Sequence, residues 1–109
     1  MREASEVRIA LTTAGSMDEA QELANALVER RVAACVNLIP NLTSIYRWQG
    51  AVEETSEVLL LIKTTAEQLS EVESTLRELH SYEVPEFVAL GVESGSQPYL
   101  DWLLSNVKG

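Results

Sequence analysis

The sequence predicts one mixed α/β domain (α+β) built from two βαβ units in tandem, with an extra C-terminal helix. Three observations carry this. An alternating apolar pattern opens the chain, two amphipathic helical stripes each lie between strand-like segments, and no Gly/Ser/Pro linker divides residues 1–109. A chain of this length has room for a single core.

Val7 to Thr13 alternates, with Val7, Ile9 and Leu11 on one face and Arg8, Ala10 and Thr12 on the other, as a strand does. Gly15 breaks the pattern, and Ser16 with Glu19 has the spacing of a capping box. Ala20, Leu23, Ala24, Leu27 and Val28 then recur at helical spacing. Arg30 and Arg31 follow, where cations suit the negative end of a helix dipole; an anion site is the alternative use. Ala33 to Trp48 reads as a long strand bent at Pro40-Asn41, Gln49-Gly50 as a turn, and Val52 to Lys63 as the returning strand. Thr65 and Gln68 form a second capping-box pattern, ahead of a stripe of Leu69, Val72, Leu76 and Leu79 with Glu73 and Arg77 on its wet side. Pro85 holds Val84 extended and ends the next loop. Phe87 to Val92 reads as a fourth strand, Ser94-Gly95-Ser96 as a turn, and Tyr99 to Val107 as a terminal helix burying Leu100, Leu103, Leu104 and Val107.

Right-handed crossovers and short connections leave few ways to arrange this order, and the ferredoxin-like two-layer sandwich is the expected one. Two helices cover one face of its sheet. The other face should be polar, yet Val58 to Ile62 and Phe87 to Leu90 are apolar on both faces, with Ala10 expected on the open side. Large exposed apolar patches are rare on monomers, and Tyr46, Arg47 and Trp48 at the hairpin tip are types favoured at interfaces. The chain is therefore expected to self-associate.

Net charge is −9, which repels the nucleic-acid backbone and anionic membrane surfaces, so no nucleic-acid or membrane partner is expected. Aromatic residues make up 6%, too few for a site of stacked rings. Cys35 is the only cysteine, so no intrachain disulfide forms. The acidic N-terminus is unlike a signal peptide, and no apolar stretch approaches the roughly 20 residues of a membrane span. A cytoplasmic address follows as an expectation. Dinucleotide, phosphate-loop and zinc spacings are absent, and the sole histidine has no evident partner for nucleophilic catalysis, so no enzyme is expected.

Four motifs carry a family resemblance over Val7 to Trp102. They are Ala33-Ala34-Cys35-Val36-Asn37-Leu38-Ile39-Pro40, Ser44-Ile45-Tyr46-Arg47-Trp48-Gln49-Gly50 followed by Ile62-Lys63-Thr64-Thr65, His80-Ser81-Tyr82-Glu83-Val84-Pro85-Glu86, and Tyr99-Leu100-Asp101-Trp102. Together they resemble the CutA divalent-cation tolerance family. The resemblance implies a ferredoxin-like protomer in a homotrimer, related to the P-II signalling proteins, and a link to copper and other divalent cations. Two departures stand out. The family's copper-binding pattern has a cysteine where this chain has Thr12 and paired histidines where it has Leu79 and His80, and the usual His-Pro-Tyr reads His80-Ser81-Tyr82.

The candidate metal ligands are therefore His80, Cys35, Glu83 and Glu86. His80 could equally cap its helix, Cys35 could be a small core hydrophobe, and the two glutamates could be solvated. Tyr46, Arg47 and Trp48 are the expected trimer contacts. Glu57, Lys63 and Tyr82 are candidates for lining an inter-subunit cleft, where Glu57 and Lys63 could also pair. Two functions follow from the resemblance. One is a non-enzymatic trimer that binds copper or another divalent cation and confers tolerance. The other is a P-II-like sensor or scaffold that binds a small anion in its clefts and acts through an unidentified protein partner.

Overall fold

A computed structural model describes all 109 residues as β1 (Arg2–Glu3), β2 (Val7–Ala14), α1 (Met17–Glu29), β3 (Cys35–Trp48), β4 (Ala51–Thr65), α2 (Leu69–Leu79), β5 (Val88–Gly91), β6 (Ser94–Gly95) and α3 (Gln97–Ser105). The main sheet has the order β3-β4-β2-β5, antiparallel throughout, which is the ferredoxin-like arrangement expected from the element order. No helix is long and apolar enough to cross a membrane.

α1 and α2 cover one face. Leu23 and Leu27 of α1 and Val72 and Leu76 of α2 pack with Ala10, Ala14, Val58, Leu60 and Ile62 in one buried cluster. This corrects the expected facing of β2, because Ala10 lies under the helices and Ile9 and Leu11 lie on the open side. Small residues at Ala10 and Ala14 let the helices come close to the sheet, and the bulkier side chains go to the other face. The open face is then more apolar than the sequence suggested. Register aligns Ile9 with Leu90 and Lys63, Leu11 with Val88 and Leu61, and Ile39 with Leu59. Val88 and Leu90 are about half exposed, at 48% and 49%.

Local chemistry accounts for most boundaries. Ser16 Oγ accepts from Glu19 N at 3.2 Å and starts α1. Positive φ at Gln49 (49°) and Gly50 (83°) gives the tight hairpin turn, and Asn41 at φ 62° sits in the break between Ile39 and Leu42.

Two local expectations are overturned. Thr65 does not cap α2; a 3-10 turn at Ala66–Gln68 leads in, and Gln68 turns inward to donate to the Lys108 carbonyl at 3.0 Å. Ser94-Gly95 is not a turn but pairs with Arg2–Glu3, because α3 starts two residues earlier than expected, capped by Ser96. Arg30 and Arg31 close α1 as expected, Arg30 as its C-cap residue, while their side chains reach neighbouring elements. Arg30 forms a two-pronged bond to Glu78 at 3.1 and 3.2 Å, and Arg31, at φ 60°, donates to the Ser105 carbonyl of α3.

α3 closes a second cluster of Ala4, Val7, Ala34, Leu100, Leu103 and Val107. It covers only the end of the open face that holds Val7. At the opposite end, β4 pairs with β2 only from Val58 onward, so Ala51 to Glu57 pair with β3 alone. At about 3.3 Å per residue these seven residues form an arm reaching about 23 Å beyond the sheet, which accounts for the 45 × 25 × 22 Å extents.

Candidate functional site

The polar side chains of interest fall into two groups at opposite ends of the open sheet face. The first is assembled where β2 ends. α2 stops at Leu79, and the chain leaves it extended at His80, which turns the imidazole back toward the sheet. The His80 side chain is fully buried. One ring nitrogen, Nδ1, lies 3.0 Å from the backbone N of Tyr82, and the other, Nε2, lies 2.6 Å from the Thr13 carbonyl. A backbone N–H can only donate, so Nδ1 accepts, and Nε2 carries the proton that goes to Thr13. Both nitrogens are thereby engaged. His80 is the C-cap residue of α2 through its backbone N–H, which donates to the Leu76 carbonyl at 2.8 Å, but its ring serves β2 rather than the carbonyls of α2.

Tyr82 stacks at a tilt on His80, with centroids 4.6 Å apart, and its hydroxyl donates to Glu57 Oε2 at 2.8 Å. Glu57 is 9% exposed. Burial, the bond to Glu57 and the nearby negative charge push the Tyr82 phenol up to about 12. Gly15 leaves room for it, since a Cβ there would come within 3.3 Å of the hydroxyl. Glu19 completes the group by accepting the Ser81 N–H at 2.7 Å. Burial works against its charge, but hydrogen bonds from Ser81 and the Gly15 backbone outweigh that and hold it below the usual carboxylate range. A proline at position 81 would have no N–H to offer, so this tie depends on the departure from His-Pro-Tyr. Nothing in sequence pointed to Glu19 or Thr13 beyond the capping pattern. Their roles arise from contacts between positions 62 and 67 residues apart.

The second group lies toward α3. Lys63 is in register with Cys35 on β3 and Ile9 on β2. Its Nζ lies 3.2 Å from the Tyr99 hydroxyl and 5.4 Å from the ring centroid. Cys35 is half-buried, and its Sγ lies 3.7 Å from Asn37 Oδ1. Tyr99 is a member of this group that its motif alone did not single out.

The sequence candidates are thus divided. Glu57 and Tyr82 meet. Lys63 shares their face, but its six-residue separation from Glu57 is about 20 Å of strand, so these two do not pair. Cys35 and His80 do not meet either. Ile9, level with Cys35, and Thr13, bonded to His80, are four residues or about 13 Å apart along β2. Glu83 and Glu86 are exposed in the 80–87 segment, with Glu83 on a groove of about 260 Å³ beside Glu73, Arg77, Val84 and Phe87. No three His, Cys, Asp or Glu side chains within the chain are placed to hold a metal. The copper-type positions do not fit that role. Thr12 is wholly buried with its hydroxyl unpartnered, Leu79 is an exposed hydrocarbon, and His80 has no free lone pair. Tyr46, Arg47 and Trp48 lie exposed along the arm; Tyr46 hydroxyl is 2.9 Å from Thr55 Oγ1, and Trp48 is 59% exposed.

Residues 8–106 match a family model described as the CutA1 divalent ion tolerance protein. The divalent-cation tolerance protein CutA of Thermus thermophilus is 51% identical over 98 residues, covering 90% of this chain and 95% of that protein. Protein CutA of Homo sapiens is 50% identical over 97 residues, 89% of this chain, and this chain spans only 54% of its length. The solved divalent cation tolerance protein from Thermus thermophilus superimposes with a TM-score of 0.91 at 49% identity, covering 94% of this chain and 99% of that one.

Proposed function

The chain belongs to the CutA1 divalent ion tolerance family, and from that premise we propose that it works as a non-enzymatic cytoplasmic homotrimer. In this reading, copper or another divalent cation is held by donors drawn from more than one copy. The observation that carries it is the arm. Ile45 is 70% exposed, Trp48 59% and Val52 65%, on a two-stranded hairpin about 23 Å long with which no third strand pairs. A bare hairpin is marginally stable in water, and the same chain presents an uncovered apolar sheet face. A second copy satisfies both, with Tyr46, Arg47 and Trp48 as the reaching residues. Shared metal donors fit a protomer that by itself brings no three His, Cys, Asp or Glu side chains together. Cys35, Glu83 and Glu86 are left as the donors with lone pairs to contribute. Light scattering should give three times the 12.0 kDa protomer mass, and calorimetry with copper(II) should show one ion per chain for donors shared at the three equivalent interfaces, or one ion per trimer for donors shared on the axis. A monomer at micromolar concentration would end the reading.

The P-II-like alternative, a trimer that binds a small anion and signals to a protein partner, draws on one specific observation. Lys63 is a half-buried cation with no carboxylate of its own chain beside it.

A further inference from the structure

We propose that Lys63 and Tyr99 form an oxyanion site on the open sheet face, built to take a carboxylate or phosphate group and separate from the Glu57–Tyr82 group. This rests on the reading that another copy covers that face. Lys63 projects among Ile9, Leu61 and Leu90, and none of the ion pairs in the chain includes it. Its one polar partner is the Tyr99 hydroxyl at 3.2 Å. An ammonium has only donors, so the phenol oxygen accepts from it, and the phenol proton stays free to donate outward. Asn37 lies diagonally across the strand pair. Its Oδ1 takes the Cys35 thiol at 3.7 Å, leaving its N–H2 to donate. This end of the face therefore offers an ammonium, a phenol and an amide N–H2, all as donors, and no carboxylate within ion-pair distance of Lys63. That is the chemistry of an oxyanion site.

Covering the face sharpens the requirement, because an unpaired ammonium is costly to remove from water, and hydrogen-bonded pairing with an anion offsets that cost. The anion has two sources, a free phosphate or carboxylate, or a glutamate or aspartate of the neighbouring copy. The chain-wide charge of −9 opposes capture of a free dianion and leans toward the second.

The test compares wild type with Lys63→Met, which keeps the stem, and Tyr99→Phe, which keeps the ring, in two arms. Calorimetric titration with inorganic phosphate reads the free-anion source. Light scattering across a dilution series reads the neighbouring-copy source. In the first case wild type binds phosphate, Lys63→Met binds it at least about tenfold more weakly and Tyr99→Phe a few-fold more weakly, with unchanged oligomer mass. In the second, phosphate does not bind, and Lys63→Met dissociates at a concentration about tenfold or more higher than wild type. Either result supports the site. The proposal is overturned if Lys63→Met and wild type dissociate at the same concentration and neither binds phosphate more tightly than the other. A monomeric wild type would defeat the covered-face reading independently of Lys63, and the phosphate arm alone would then decide the site.

Discussion

Tyr82→Phe isolates one bond in the polar group at the end of β2. The ring survives, so the stacking on His80 at 4.6 Å and the fit against Gly15 are kept, and only the 2.8 Å donation to the buried Glu57 is lost. A bond to a charged acceptor contributes about 1.5–3 kcal/mol, so we expect a loss near 2 kcal/mol at neutral pH. In a domain of this size that corresponds to roughly 8 °C or more in melting midpoint. Urea denaturation at one fixed protein concentration is the assay, since association makes the midpoint depend on concentration. The pH dependence gives a second, independent readout. The phenol ionises near 10.0 when unfolded and near about 12 when folded. Between these values the folded protein keeps a proton that the unfolded chain has released, so stability falls as pH rises. The advantage of wild type over Tyr82→Phe is therefore full below pH 10 and fades through about 12. A loss under about 0.5 kcal/mol at neutral pH, or an advantage that stays flat through that window, would refute the bond as drawn.

Three further outcomes are expected. His80→Ala should cost about 2–4 kcal/mol through two lost buried hydrogen bonds and an unfilled site, while copper(II) affinity by calorimetry changes less than about twofold. A large affinity loss would mean that the ring leaves Thr13 to bind metal. Trp48→Ala on the arm should raise the dissociation concentration of the oligomer more than Trp102→Ala on α3, with the arm anchor costing about 2 kcal/mol; equal effects in light scattering would remove the arm from the interface. Arg30→Ala should lower the melting midpoint slightly, by an amount that shrinks in high salt, because the Arg30–Glu78 pair raises the guanidinium pKa and lowers the carboxylate pKa only at an exposed surface. A salt-independent loss would point to packing instead.

The candidate site was only partly readable in advance. Tyr82 and Glu57 were both marked by their motifs and placement, yet their contact joins positions 25 apart, and no periodicity carries that. His80 was named as a metal ligand or a helix cap, and its imidazole is buried with both nitrogens bonded; a lone histidine in a sequence does not reveal whether its lone pairs are already taken. Lys63 and Cys35 share a register row because β3 and β4 pair across the turn at Gln49-Gly50, whereas the Lys63–Tyr99 contact depends on where α3 comes to rest.

Element types, their order and the hairpin turn follow from local physics. Apolar period, capping side chains and residues that accept positive φ each act over a few positions, and the antiparallel β3-β4-β2-β5 order follows once crossovers must be short and right-handed. The facing of β2 needed the tertiary structure. Val7, Ile9 and Leu11 formed the stronger apolar set, but the helices came down on Ala10 and Ala14, because close helix–sheet packing is won by fit rather than by hydrophobicity alone. The pairing of Arg2–Glu3 with Ser94–Gly95 and the engagement of His80 on Thr13 are likewise properties of the folded whole. The partners in both pairings come from opposite ends of the chain, where only packing can bring them together.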